Sequence, residues 1–253
     1  MSSFDNLSLV YDRSINWDAR LRRELPFILN ALLESGGSKV LDMACGSGRH
    51  SVALALEGAD VVGFDSSTGM IQAAKDLAAE NGVTARFMVA DMMNLETVLK
   101  EKFDLIVCLG NSLALVPSLL EVKKLLLAVH SLLSSKGVFV AQVLNFEQIK
   151  KTKSRFFQPK GGVTSEGDLV IFVRFFSHLE PEESTTLVLT SFVKSSEGWS
   201  TTVSSQSVLQ LNQEALTHAV RAAGFGQFEV YSDFGGNPFA GTEHRNLVIK
   251  ARK

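Results

Sequence analysis

The chain has 253 residues, 45% of them hydrophobic and 21% charged, and a formal net charge of −2. That length lies at the upper end of single-domain size and can bury a substantial core. The charge balance leaves no electrostatic footprint for a nucleic acid, and no run approaches the roughly 20 apolar residues of a membrane span.

In chain order, the first residues lack a basic stretch followed by an apolar run, so no leader is expected and the expected location is the cytoplasm. "INWDARLRRELPFILNALLES" then carries helical periodicity with Pro26 in its middle, which predicts one helix ending near Glu24 and another reaching Leu33. From Lys39 to Leu144, apolar runs alternate with amphipathic stretches. Strands are predicted at Val40–Met43, Asp60–Asp65, Ala85–Ala90, Phe103–Leu109 and Gly137–Leu144, with helices at Arg49–Glu57, Thr68–Asn81 and Leu119–Ser134. Gly82 and Gly137 are placed as helix-terminating glycines. This pattern predicts a Rossmann-like α/β fold: a doubly wound, mostly parallel seven-stranded sheet with helices on both faces. "KKTKSR" (Lys150–Arg155) reads as a solvated face. After it, Asp168–His178, Thr185–Lys194 and Trp199–Leu209 are rich in Val, Phe and Thr and predict an antiparallel meander, with turns at Glu180–Glu183 and Ser195–Gly198. A helix capped by Asn212 and closed by Gly224 follows, then strands at Phe228–Asp233 and Asn246–Ala251. The expected organisation is a single domain over 1–253 with residues 151–208 inserted as a β subdomain.

The stretch "VLDMACGSGRH" (Val40–His50) carries the chemistry. Gly46 and Gly48 permit a tight turn and close approach of a ligand, and the helix starting near Arg49 directs unpaired N–H groups at the same crevice. Asp65, ending the second strand, is placed to accept bonds from both hydroxyls of a ribose. Asp42 discriminates between ligands. A carboxylate at the mouth of the loop repels a pyrophosphate but favours a cofactor bearing a sulfonium and an ammonium group. The two cysteines, Cys45 and Cys108, show no CxxC or Cys/His spacing, so neither a disulfide nor a metal is expected.

With "VVGFDSS", "VADMMNL" and "DLIVCLGNSL" following in order, the chain resembles the class I S-adenosylmethionine-dependent methyltransferases. Ala44 departs from that pattern, standing where the family usually has its first glycine. The resemblance implies that Asp42, Ala44, Cys45 and Gly46 line the methionyl end of S-adenosylmethionine, and that Asp65 holds the ribose beside Ser66 and Met70. It also places Asp91 at the adenine amino group between Ala90 and Met92, and Leu109, Gly110 and Asn111 near the methyl group. "YDRSINWDAR" resembles the entry helix of small-molecule N-methyltransferases of the glycine N-methyltransferase type. Tyr11 and Trp17 match the covering aromatic residue, and Arg20 the arginine that pairs with the cofactor carboxylate. Tyr11 and Asn111 are the catalytic candidates.

The expected reaction is in-line transfer of a methyl group to a small-molecule acceptor, at an amine. The β insertion is read as an acceptor lid or a homodimer contact. Arg174 in "IFVRFF" suits an anionic group on the acceptor, while His178 and His244 are the histidines best placed to meet it. His50, His130 and His218 read as structural or exposed. "GNSL" departs from the Asn/Asp-Pro-Pro-aromatic motif of DNA amino methylases, which argues against a nucleic-acid substrate. Two alternatives stay open on sequence alone: an NAD-dependent oxidoreductase and a non-catalytic subunit that binds S-adenosylmethionine.

Overall fold

The computed structural model describes residue 12 and residues 14–163, 167–177 and 184–253. Tyr11, His178 and the turn expected at Glu180–Glu183 lie outside the described residues.

Helix α1 runs without a break from Trp17 to Ser35 and contains Pro26, so the expected interruption is absent. Proline in a helix interior costs about 3 kcal/mol, largely through one lost hydrogen bond and a clash with the preceding turn. Here Pro26 and Arg22, whose carbonyl loses its partner, both face solvent. The opposite face buries Ile28, Ala31 and Leu32. Each large aliphatic side chain so buried contributes about 1.5–3 kcal/mol, enough to hold the helix through the proline.

The central unit alternates β1 (Lys39–Met43), α2 (Arg49–Leu56), β2 (Asp60–Asp65), α3 (Thr68–Glu80), β3 (Arg86–Val89), α4 (Leu95–Val98), β4 (Phe103–Cys108), α5 (Leu119–Leu132) and β5 (Leu133–Leu144). A short helix α6 (Phe146–Thr152) leads into the strands β6 (Lys160–Val163), β7 (Leu169–Phe176), β8 (Ser184–Ser195) and β9 (Gly198–Leu209). Helix α7 (Gln213–Ala222), β10 (Gln227–Tyr231) and β11 (Asn246–Arg252) complete the chain. Asn212 caps α7 by accepting the Ala215 N–H, as its side-chain chemistry predicts.

The main sheet has seven strands in the order β10-β11-β5-β4-β1-β2-β3, with β11 antiparallel to both neighbours and the pairs among β1–β5 parallel. The fold class expected from the sequence is therefore present. Its two faces bury different strand residues. Val40, Val61, Leu105 and Val140 join Ile28 and Leu32 of α1 on one side, while Leu41, Val62, Ile106 and Phe139 join Leu126 of α5 and Leu216 of α7 on the other. Strand order reverses between β1 and β4, and a crevice opens at the carboxyl ends of strands on either side of such a reversal.

Two expectations are corrected in detail. Gly137 does not close a helix: α5 ends at Leu132, Leu133 is already extended, and Gly137 lies within β5. A Cβ at Gly137 would come within 2.9 Å of Leu133 side-chain atoms, so glycine is needed for packing at the strand's irregular start. The meander gains a fourth strand, β6, giving an antiparallel sheet in the order β6-β7-β8-β9. The glycines in "KGGV" hid it, because glycine is a poor strand former. Its residues Val170, Phe172, Phe176 and Val208 are buried, and the sheet shares one hydrophobic core with the main sheet.

Candidate functional site

The chain leaves β1 through residues 44–48, a loop with three left-handed backbone positions: Ala44 at φ 55°, Gly46 at 56° and Gly48 at 74°. Ala44 thus adopts a conformation that glycine takes freely and that costs an L-residue about 1–2 kcal/mol. At Gly48 a Cβ would meet Ala74 Cβ at 2.7 Å, so α2 can approach α3 only with glycine there. The loop is tied to the end of β2: Asp65 Oδ2 accepts the Gly46 N–H at 3.0 Å, and Oδ1 accepts the Ser67 N–H at 2.9 Å.

Asp42 is almost fully buried and accepts a bond from Ser51 Oγ at 2.6 Å. Burial pushes its carboxyl above the usual range, and the charge of Asp65 adds to this; His50, Ser51 and Arg20 work in the opposite direction. Cys45 sits beside both carboxylates. Burial, with the charges of Asp42 and Asp65, drives its thiol far up, so it remains a neutral packing group. Burial likewise pushes Cys108 up to about 12.

Above this loop lies a polar chain that the sequence reading missed. Arg20 Nε lies 3.0 Å from both carboxylate oxygens of Glu24, and Glu24 Oε2 is 2.9 Å from His50 Nε2. Burial works to raise the Glu24 carboxyl, but the His50 bond and the Arg20 charge overcome it and hold it below its ordinary value. The Arg20 guanidinium also lies 4.9 Å over the Trp17 ring, whose plane meets that of His50 edge-on at 5.7 Å. Ser47 Oγ donates to Asp12 at 2.7 Å, and burial raises the Asp12 carboxyl. The Arg20–Glu24 spacing of one helical turn was the available signal for part of this network.

Gly110 and Asn111 follow β4 in left-handed conformations. Asn111 Oδ1 accepts the Leu144 N–H at 2.8 Å, and the Gly110 N–H donates to Gln142 Oε1 at 3.1 Å, fixing this loop to β5. Arg20 reaches the same place: a Cβ on Gly110 would lie 3.6 Å from its Nη2.

A cleft of about 390 Å³ brings together Ala44, Asp65, Ser66, Met70, Ala90, Asp91 and Met92, with Ser112, Leu115, Val116 and Pro117 opposite and Gln206 of β9 at its edge. Asp91 caps the short turn after β3 by accepting the Met93 N–H. Asp42, Cys45, Gly46, Leu109, Gly110, Asn111, Trp17 and Arg20 do not line this cleft. Asp42 lies in β1, and the others belong to the loops and helix start beside the cleft.

Gln206 shows how the second sheet enters. Side chains alternate along a strand, so Arg174 of β7, Leu189 of β8 and Gln206 of β9 share the inward face. Arg174 stacks over the Phe157 ring at 4.6 Å, with Arg245 over the same ring at 5.0 Å. Lys160 shares that inward face through its pairing with Phe172. Its ammonium is held below the ordinary lysine value by burial and then by the charges of Arg174 and Arg20. Lys160 is thus within electrostatic reach of both Arg174 and Arg20. His244 stands apart from the cleft, its carbonyl accepting from Asn145 Nδ2 and its ring 6.1 Å from Phe239.

The residues fit a cofactor with a ribose and a positive centre. Asp65 and Asp91 both line the cleft, and the buried Asp42 carboxyl, outside its lining, feels the charge of Asp65. Among the described residues no helix is long and apolar enough to cross a membrane.

Comparison with known proteins agrees. Residues 34–195 match the family described as Methyltransferase domain. The glycine/sarcosine N-methyltransferase of Parasynechococcus marenigrum is 32% identical over 161 residues, covering 64% of this chain and 57% of that protein. The glycine/sarcosine/dimethylglycine N-methyltransferase of Actinopolyspora halophila is 27% identical over 230 residues, 88% of this chain and 38% of that protein. The chain spans less than two thirds of the length of these curated relatives. Among solved structures, an S-adenosylmethionine-dependent methyltransferase from Clostridium acetobutylicum superposes with a TM-score of 0.81 at 17% identity, covering 99% of both chains. CalS10, an amino pentose methyltransferase from Micromonospora echinaspora, gives a TM-score of 0.64 at 20% identity, covering 90% of this chain and 92% of that one. The chain belongs to the class I S-adenosylmethionine-dependent methyltransferases.

Proposed function

We propose that this chain methylates a small acceptor at an amine nitrogen, and that the acceptor carries a carboxylate or similar anion. The observation that supports the reading is Lys160 and Arg174 on the inward face of the β6–β9 sheet, with Arg20 beside the 109–111 loop and within electrostatic reach of Lys160. In this reading the segment 151–208, which carries that sheet, is an insertion that serves as the lid over the acceptor. The relatives named for glycine and sarcosine N-methylation support the choice of a carboxylated amine.

When bound, S-adenosylmethionine supplies a methyl group already activated on a sulfonium. Asp65 would hold its ribose, with Ser66 and Met70 alongside; Ala90, Asp91 and Met92 would receive the adenine. Ala44, Cys45 and Gly46 would line the methionyl part, next to Asp42, whose carboxylate favours the positive centre. Trp17 and Arg20 would close this end from α1, and Leu109, Gly110 and Asn111 would border the methyl group.

The chain's own task is alignment and electrostatics, since holding two reactants in attack geometry removes as much as ~7–11 kcal/mol from a barrier. Asn111 acts through its bond to the Leu144 N–H, which fixes the loop that borders the reacting atoms. The cations do two things. Lys160 and Arg174 pair with the acceptor's anion, and their charges disfavour a further positive charge nearby, so the acceptor's amine keeps the lone pair that attack requires. The test is methyl transfer from labelled S-adenosylmethionine to glycine or sarcosine and to their neutral amides. A charged pair is worth about 1.5–3 kcal/mol, so Arg174→Gln should raise the KM for the carboxylated acceptor roughly 10- to 100-fold. S-adenosylhomocysteine affinity should not change. Equal turnover of acid and amide, in the wild type and the variant alike, would remove the anion from the proposal.

A further inference from the structure

The sheet that carries Arg174 on one face presents large apolar residues on the opposite face, continuous along β7 and interspersed with Ser and Thr on β8 and β9. Pairing register sets which residues share it: Val163, Leu169, Lys194 and Trp199 form one row across the four strands, Phe192 and Thr201 belong to the next, and Val203 lies opposite Thr190 in the one beyond. Phe156 joins them through its bridge to Phe175. The exposures are high for such residues: Phe156 66%, Val163 63%, Val203 60%, Trp199 56%, Leu169 45% and Phe192 36%. These six are close to half of the large hydrophobic residues exposed among the described positions. A monomer rarely leaves more than a few hundred Å² of contiguous apolar surface in water.

We infer that this outward face packs against the same face of a second copy of the chain, as two sheets stacked about a twofold axis. Four strands about 4.8 Å apart and roughly eight residues long present about 500 Å² in projection, so two copies bury on the order of 1,000 Å² before side-chain relief is counted, the lower bound for a stable interface. Charge points to the same occupant. Lys194 is the one charged residue at an outward position on these strands, it stands at the hairpin end, and its ammonium lies 6.0 Å from the Trp199 ring. A neutral apolar face is self-complementary, as a twofold interface must be. The two faces of one sheet then have different partners: the outward one a second protomer, the inward one the acceptor. Stacking would stiffen the sheet that positions Arg174 without contributing a residue to the site.

Sedimentation velocity of the full chain at micromolar concentration tests this. The wild type should sediment at twice the 27.5 kDa chain mass. Phe192→Glu and Val203→Lys should each shift it to monomer, with circular dichroism and thermal melting confirming a folded chain. Val203 is the milder site, since it is largely exposed already. Thr202→Glu, on the same edge strand but facing inward, should remain dimeric. A wild-type monomer, or dimers that persist in both outward variants, would overturn the proposal. So would loss of the dimer in Thr202→Glu, which would indicate edge-to-edge pairing of β9 instead.

Discussion

Replacing Asp65 with alanine separates what its carboxylate does for the ligand from what it does for the fold. In the structure its two oxygens accept backbone N–H bonds from Gly46 and Ser67 at 3.0 and 2.9 Å. Both oxygens have further lone pairs, which in the proposed complex accept the two ribose hydroxyls. A bond to a charged acceptor contributes about 1.5–3 kcal/mol, so losing two should cost about 3–6 kcal/mol of binding, roughly two to four orders of magnitude in Kd. The fold loses less, because water can reach the half-buried end of β2 and replace the carboxylate at the Gly46 N–H. A cost of about 1–2 kcal/mol lowers the melting temperature of a chain this size by only a few degrees. Asp65→Asn retains an acceptor oxygen and should fall between the two. Isothermal calorimetry with S-adenosylhomocysteine, paired with thermal melts, reads both quantities. Affinity in Asp65→Ala within threefold of the wild type would refute the ribose assignment.

Further outcomes follow from the same loop and network. Gly48→Ala should cost about 2–4 kcal/mol, combining backbone strain with the close approach to Ala74. Gly46→Ala, whose Cβ would meet no atom within 4 Å, should cost only the backbone part, about 1–2 kcal/mol; equal losses in chemical denaturation would contradict this. Because the Glu24 carboxyl is held below its unfolded value, its contribution to stability is full above that unfolded value and is lost as pH falls through the lower folded value. The stability gap between wild type and Glu24→Gln should therefore be constant at neutral pH and shrink in acid; a gap that widens in acid would contradict the assignment. Asp42 has the opposite sign. Its carboxyl is raised in the folded chain, so its ionised form opposes folding above that raised value, and Asp42→Asn should melt higher than wild type while binding S-adenosylmethionine more weakly. A variant that melts lower and binds as tightly would refute the idea that this carboxylate is kept for a cationic ligand.

The parts of this molecule legible in the sequence are those where local pattern and tertiary structure agree. The strands β1, β2 and β4 stand out because each is a short, nearly continuous apolar run, which is what a parallel strand buried on both faces requires, whereas β3 lies at the sheet edge with Arg86 and Val89 exposed. The loop at 44–48 was legible through its glycines and the acid at the end of the next strand. Ala44 looked out of place in the sequence and is so in the backbone, where it holds a left-handed conformation. Pro26 misled because local chemistry predicts a break, while the buried face of α1 pays no regard to the proline on its solvent side. Gly137 misled because packing against Leu133, not a helix end, explains it. The electrostatic reach of Lys160 to Arg20 and Arg174 was not legible, since three separate elements supply these residues and no local spacing records their approach. The Glu24–His50 pair is hidden for the same reason, with α1 and α2 joined only by the fold.

In the proposed reaction, the crevice at the ends of β1 and β4 moves a methyl group onto a small carboxylated amine. The most direct test is incubation of the purified chain with methyl-labelled S-adenosylmethionine and a panel of small amines, amino acids and their amides, with products resolved by mass. The expected result is label on an amine nitrogen, preference for carboxylated acceptors, and loss of transfer in Asp65→Ala. Label on oxygen or carbon, or preference for the amides, would contradict it.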